Sequence, residues 1–307
     1  MVTKLYLLLI VSFLLQSCIS EPKSKESAPQ VSNQPKMEVY KVESEFPSKE
    51  DWYLDNEYTI ENIDPVSVAF LDPYLFLSDT LSQIVLQYNT KTKETKKLVE
   101  NEKVSYINQR SSRVIFPMVD LDSIFVYRGT SDFYRLIIEN KLNRPIDFDG
   151  FKKKDFAISD AGNHRIIRKI GDEERIIGKK GSAEGEFLNP DGIHFANGNL
   201  YVADSGNNRI QSFNNEGEHL STISGGVLKG VSIISSDKKN LFILDKMSKA
   251  IHVYSPKGDL LYSLDEFFVD PSYIFFYRSK LYVADRKGST VKVLGHKKYD
   301  LEMVQYQ

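Results

Sequence analysis

Residues 199–210 read Asn199-Leu-Tyr-Val-Ala-Asp-Ser-Gly-Asn-Asn-Arg-Ile210: a short β-rich run ending in an aspartate, a turn of small polar residues, then a new apolar run. The first part recurs as Leu75-Phe-Leu-Ser-Asp79, Phe156-Ala-Ile-Ser-Asp160, Leu241-Phe-Ile-Leu-Asp245 and Leu281-Tyr-Val-Ala-Asp285. Successive aspartates lie 81, 44, 41 and 40 residues apart. The first interval is twice the others, so a diverged copy belongs inside it. The spacing places that copy at residues 113–138, with Ile124-Phe-Val-Tyr-Arg128 where the other units carry the recurring run. Six units of about 40 residues result.

The register extends upstream of each aspartate. Pro65, Pro190 and Pro271 lie 14 residues before theirs, and Pro145 and Gly230 lie 15 before. Each opens a second β-rich run. Turn chemistry separates the runs: Asn197-Gly198 between the first two, Ser205-Gly-Asn-Asn208 between the next two, and Glu216-Gly217 or Lys257-Gly258 before the fourth. Four strands per unit, repeated six times, predict an all-β protein: a six-bladed β-propeller of four-stranded antiparallel blades, covering residues 64–307. A two-layer sandwich requires no such strict period, and a helical solenoid would not be so rich in β-branched and aromatic residues.

Gly181-Ser-Ala-Glu-Gly-Glu-Phe-Leu-Asn-Pro-Asp-Gly-Ile193 followed by residues 199–210 resembles the NHL repeat, and Asp160-Ala-Gly-Asn-His-Arg-Ile166 is similar to it again. The last two units keep the strand pattern but carry Lys246-Met-Ser-Lys-Ala250 and Arg286-Lys-Gly-Ser-Thr290 in place of the Asn-Arg element. The second unit leaves little room for a full outer strand between Ile138 and Pro145. Residues 37–63, with Trp52, Tyr53 and the strand-like Tyr58-Thr-Ile-Glu-Asn-Ile63, precede the first unit. A ring of blades needs its open edge covered. This segment is expected to supply a closing strand, with residues 301–306 as the alternative outer strand of the last unit.

The N-terminus reads as an address. Lys4 is followed by an apolar stretch through Leu15, too short for a stable span, which makes residues 1–17 a secretory signal peptide. Leu15-Gln16-Ser17-Cys18 resembles the lipobox of bacterial lipoproteins, which implies cleavage before Cys18 and lipidation of that residue. Residues 18–36 then form the lipidated cysteine and a tether rich in Ser, Pro, Lys and Glu, expected to be disordered. By analogy with known sorting, Ile19 rather than an acidic residue after the cysteine points to the outer membrane, facing the periplasm or the surface. The expected partner at this end is the membrane, through the lipid on Cys18.

Composition narrows the function. With 40 Lys+Arg against 42 Asp+Glu in 307 residues, no whole-molecule field exists to hold nucleic acid. Cys18 is the single cysteine, which leaves neither an intrachain disulfide nor a cysteine zinc site. The recurring aspartates, Asp160, Asp204 and Asp285 among them, occupy one repeat position. They are expected to accept turn hydrogen bonds and to pair with Arg165 or Arg209 rather than to catalyse. His164, His194, His219, His252 and His296 form no local ligand pair, and His194 is expected to pack between blades. Resemblance to NHL-type propellers also raises the peptidylglycine α-amidating lyase, whose metal histidines follow the opening proline. The matching positions here are Val66, Ile146, Asp191, Val231 and Ser272, with no histidine. Related propellers that hydrolyse lactones hold calcium in the central channel; the channel-proximal set here, Ser67, Asp191, Lys229 and Ser272, is thin for a hard cation, with Asn189 and Asp191 offering two oxygen ligands. No metal or cofactor is expected, with calcium the alternative that these residues leave open without supporting it.

Loops joining the fourth strand of one unit to the first of the next, and loops between second and third strands, share one face of a propeller. Lys179, Lys180, Lys229, Lys246, Lys249, Arg286 and Lys287 fall there, beside Asp191 and Ser272, and make a candidate ligand face. The leading expectation is a lipid-anchored binding or scaffold protein whose loop face contacts a protein, peptide or glycan of the envelope. The alternative is a metal-dependent propeller enzyme, of lyase or lactonase type, with its site in the central channel.

Overall fold

A computed structural model describes residues 48–129, 133–152 and 154–297. The signal peptide, Cys18, the tether and residues 301–306 lie outside the described residues. The chain enters through β1 (Trp52–Thr59) and then builds its blades in order. Blade 1 is β2 (Ser67–Leu71), β3 (Tyr74–Asp79), β4 (Ile84–Asn89) and β5 (Thr95–Glu100). Blade 2 is β6 (Asn108–Arg110), β7 (Arg113–Met118), β8 (Ser123–Tyr127) and β9 (Phe133–Arg135). Blade 3 comprises β10 (Pro145–Lys152), β11 (Asp155–Asp160), β12 (Arg165–Ile170) and β13 (Glu173–Ile177). Blade 4 comprises β14 (Pro190–Ala196), β15 (Asn199–Asp204), β16 (Arg209–Phe213) and β17 (His219–Ser224). Blade 5 holds β18 (Val231–Ser236), β19 (Leu241–Asp245), β20 (Ala250–Tyr254) and β21 (Leu260–Leu264). Blade 6 holds β22 (Pro271–Tyr277), β23 (Lys280–Asp285) and β24 (Thr290–His296). Every sheet is antiparallel and four-stranded, because β1 pairs with β24 as the outer strand of blade 6.

The ring is therefore closed by the N-terminal strand, from Trp52 opposite His296 to Thr59 opposite Thr290. Trp52 is buried. Its ring meets Phe242 edge-on at 5.7 Å and His296 at 5.0 Å, and its Nε1–H donates to the Tyr262 hydroxyl at 3.1 Å. A bidentate pair of Arg286 with Asp64, at 3.0 and 2.9 Å, and a 2.6 Å bond from the Ser272 hydroxyl to the Pro65 carbonyl seal the seam on the channel side.

One backbone device recurs in every blade. The loop between second and third strands ends on a residue in the left-handed region: Gln83, Asp122, His164, Asn208, Lys249 and Ser289, with φ between 46° and 55°. In five blades the aspartate before that loop is buried and its carboxylate gathers the loop together. Asp204, for example, accepts from the Leu188 amide at 2.7 Å, Asn207 and Arg209 at 2.8 Å and Gln211 at 3.2 Å. Asp160 likewise accepts from the Asn143 amide and from Arg165, both at 2.7 Å. These carboxylates hold turns together, as expected from their recurrence.

Blade 2 corrects the sequence reading. Ile124–Tyr127 belong to its third strand, β8, and the strand in the recurring position is β7, which ends on Met118 instead of an aspartate. The lack of room for a full outer strand between Ile138 and Pro145 is borne out: the three-residue β9 precedes Ile138, and residues 138–144 are part of the connection to blade 3. Both β6 and β9 have three residues, the shortest strands among the described residues. Apolar side chains between blades form the core. Phe76, Phe116, Phe187, Phe213 and Phe242 are fully buried, each worth roughly 1.5–3 kcal/mol of transfer free energy.

Candidate functional site: the loop face and the central channel

The six innermost strands surround a channel and share no ladder with one another, so amides facing a neighbouring blade are satisfied mainly by its side chains. Side chains of the preceding blade do this. The Ser67 hydroxyl accepts from the Ile107 amide at 2.9 Å and Ser235 from the Phe276 amide at 2.8 Å. In blade 3 two carboxylates take the role: Asp147 accepts from the Ile193 amide and Asp149 from the Phe195 amide, each at 2.8 Å. Alternate residues of a strand share a face, which brings both acids to the channel side of β10.

At the loop-face end, Asp191 of β14 lies beside Ser232 of β18, whose hydroxyl donates to Asp191 Oδ2 at 2.8 Å. Tyr106, from the connection before β6, reaches across the channel and donates its phenol proton to the same oxygen at 3.1 Å. Lys246, after β19, donates to the phenol oxygen at 2.7 Å, with its ammonium 4.9 Å from the ring centroid. A cation and an anion from adjacent blades are thus bridged through a phenol that burial holds in its protonated form. Burial also lowers Lys246, against the pull of Asp191. Tyr106 stands as a stopper at this end, with its polar groups already matched.

Midway, Asp147 accepts from Asn108 Nδ2 at 2.6 Å and from its neighbour's amide, Phe148 N, at 2.8 Å. Burial pushes its carboxyl up to about 8 despite those donors. At the opposite end Asp149 pairs with Arg110 and sits 3.1 Å from His194 Nδ1. Burial, followed by the Arg110 charge, pushes His194 down to about 3, so its ring is neutral and its Nδ1–H faces the carboxylate. Asn108, Arg110, Asp147 and His194 line a cavity of about 60 Å³ at the end of the channel. His194 thus packs between blades 3 and 4, as expected, and also lines the channel end.

Several residues of the predicted ligand face have partners of their own. Ser272 is buried in the closure seam and Arg286 is committed to Asp64. Lys179 pairs with Glu186 at 3.4 Å and Lys249 with Asp270 at 3.7 Å. Lys180, Lys229 and Lys287 are exposed and make no ion pair among the described residues. Asp191 and Lys246 alone are brought together, by Tyr106, which the sequence reading missed because it comes from an irregular connection with no motif. The histidines are scattered. His164 Nδ1 accepts from the Asn189 amide, His252 bonds Ser263, His219 bonds Thr222, and His296 lies under Trp52. Among the described residues no cluster of three or more His, Cys, Asp or Glu side chains could hold a metal ion.

The loop face carries a second feature the charge pattern did not show. Ile137, Leu81, Met247 and Val269 are the four most exposed large apolar residues among those described, at 87, 75, 73 and 54 %. All four lie in second-to-third-strand loops or in blade connections, and so on one face. The backbone explains why the NHL-like blades lack such a tip. In blade 4 the position matching Met247 is Gly206, where a side chain would collide with the Leu188 carbonyl; in blade 5 the glycine has moved to Gly230, opening the space that the Met247 stem fills.

The NHL repeat family model matches residues 187–213, which span β14 through β16. No curated protein sequence matches the chain. Among solved structures, virginiamycin B lyase from Staphylococcus aureus, in a catalytically inactive form with quinupristin, is similar at 15% identity and TM-score 0.58, covering 80% of this chain and 99% of that one. A luciferin-regenerating enzyme is similar at 14% identity and TM-score 0.58, covering 78% and 94%. A chain of a nidogen/laminin complex is similar at 17% identity and TM-score 0.55, covering 65% and 79%. At these identities the likeness establishes the propeller fold, which is shared by enzymes and by a component of a protein complex.

Proposed function

We propose that the protein is a binding scaffold, lipid-anchored through Cys18 to a bacterial envelope membrane, whose loop face docks a protein or peptide partner. The observation that supports this reading is the placement of the four most exposed apolar side chains on that one face. Such side chains gain roughly 1.5–3 kcal/mol each when fully buried, and apolar tips among charged residues suit a protein surface better than a glycan. The salt-compensated stopper of Lys246, Tyr106 and Asp191 supports it from the channel side, because a substrate entering there would have to part groups that already satisfy each other. The propeller in the nidogen/laminin complex shows the fold in a protein assembly.

The test is site-specific photo-crosslinking in native envelopes, with the crosslinker at Leu81 or Met247 and, as control, at Ile176 on the outer strand of blade 3. Discrete adducts at the first two positions and none at the third are expected. Equal adducts at all three, or none at any, would overturn the reading. Cys18→Ser should move the chain from the membrane to the soluble fraction; its retention would remove the anchor from the proposal.

A further inference from the structure

The short strands of blade 2 leave a groove between it and blade 3, away from the loop face and sharing only Arg110 with the cavity at the channel end. Its volume is about 120 Å³. An engineered cavity of about 150 Å³ lined by Leu, Ile and Phe binds benzene, so this space suits one ring or a short branched chain. The walls are apolar: Ile115 and Val126 from blade 2, Phe148 and Phe156 from blade 3, with Tyr134 of the truncated outer strand along one side. Such walls with a few convergent polar groups are the general form of a small-molecule site.

The polar groups are two arginines at one end. Arg110 and Arg113 are directly opposite each other across the β6–β7 hairpin, where like charges repel. One carboxylate serves the pair, since Asp149 binds Arg110, whose Nε is nevertheless buried without a hydrogen-bond partner. The Arg113 side chain lines the groove and makes no hydrogen bond or ion pair among the described residues. Arg110, Arg113 and Asp149 together leave one uncompensated positive charge at the end of an apolar slot, and guanidinium forks match carboxylate geometry. We propose that this groove binds a monocarboxylate bearing a single ring-sized apolar group, with the carboxylate on Arg113 and Arg110 and the apolar group between the two blades. The chemistry is common to a free aromatic acid and to a peptide ending in an aromatic residue.

The test titrates the full chain by calorimetry with phenylacetate, and with acetyl-Ala-Phe as the free acid, against 2-phenylethanol and acetyl-Ala-Phe amide. Saturable binding of at least one acid is expected, at least tenfold tighter than its neutral counterpart. Arg113→Gln should erase that preference and Arg113→Lys should keep part of it. Val126→Phe, which fills the slot while keeping the charge, should abolish binding, and unchanged circular dichroism separates this from misfolding. Binding of phenylacetate alone would assign a free acid, and of the peptide alone a chain terminus. No saturable binding by either acid, no preference for charge, or binding indifferent to both Arg113→Gln and Val126→Phe would overturn the proposal.

Discussion

Replacing Trp52 with alanine tests whether the N-terminal strand holds the ring shut. The indole is 4% exposed and buries on the order of 200 Å², a transfer term of about 4 kcal/mol after allowing for the methyl that remains. The hydrogen bond to Tyr262 adds about 1 kcal/mol, and each edge contact, with Phe242 and His296, adds about 0.5–1.5 kcal/mol. Unfolded chains already bury part of this surface, so the sum of these terms is an upper bound and the expected cost is about 4 kcal/mol, within the range for Trp→Ala in cores. For a domain of this size each kcal/mol lowers Tm by roughly 2–4 °C, so a fall of about 8–16 °C should appear in thermal unfolding followed by circular dichroism. Trp52→Phe keeps a ring and loses the hydrogen bond, for a cost of about 1–2 kcal/mol. Hydrogen exchange should show the amides of β24 opening first in the alanine variant. If Trp52→Ala costs less than about 1.5 kcal/mol, or no more than Trp52→Phe, then β1 is an appendage and the closure argument fails.

Gly206→Ala should cost about 1–3 kcal/mol in urea unfolding, because its Cβ overlaps the Leu188 carbonyl; a neutral result would mean the loop yields freely. Tyr106→Phe removes the acceptor for Lys246 and a donor to Asp191, for an expected loss of about 1–3 kcal/mol by the same assay, and a loss under 0.5 kcal/mol would show that the stopper is not structural. His194 is held near 3 in the folded state against 6.5 when free, so the unfolded chain binds more protons between those values and stability falls as pH drops from 6.5 toward 3. The loss should be roughly 3–5 kcal/mol and should shrink in His194→Asn. Asp147, raised to about 8, acts with the opposite sign: the folded state holds the proton more tightly, so stability declines as pH rises from about 4 to 8, and Asp147→Asn should flatten that limb of an unfolding-versus-pH series.

The period of the aspartates made the propeller legible because each carboxylate performs a local task, gathering its own loop, that every blade needs. Blade 2 was misread for the same reason. With Met118 in the aspartate position, its most persistent signal is Asp122 in the left-handed region, a backbone feature that the side-chain pattern does not reveal. The candidate face fared differently. The basic residues were visible as a count, but only Glu186, in the same connection as its partner Lys179, lies near in sequence; Asp270, Asp64 and Tyr106 meet Lys249, Arg286 and Lys246 from other segments, and pairing of that kind is set by the ring and not by spacing. Two channel groups did leave a trace. Asp147 and Asp149 stand two apart between Ile146, Phe148 and Phe151, which places both on one face and marks that face as satisfied by something other than solvent. Arg110 and Arg113 left none, since two arginines three residues apart are ordinary until a hairpin sets them opposite each other.

The pairing of β1 with β24 also has a temporal meaning. A chain made from its N-terminus produces β1 before any blade and must keep it unpaired until the last strand of the last blade exists. Throughout synthesis the nascent protein carries an open strand edge with Trp52 beside it, and the final contact joins residues at nearly opposite ends of the folded body. Contacts of such long range are slow to form, and open edges recruit other chains while they wait. The bond that makes the mature ring durable is therefore also the one that leaves its precursor in longest need of escort.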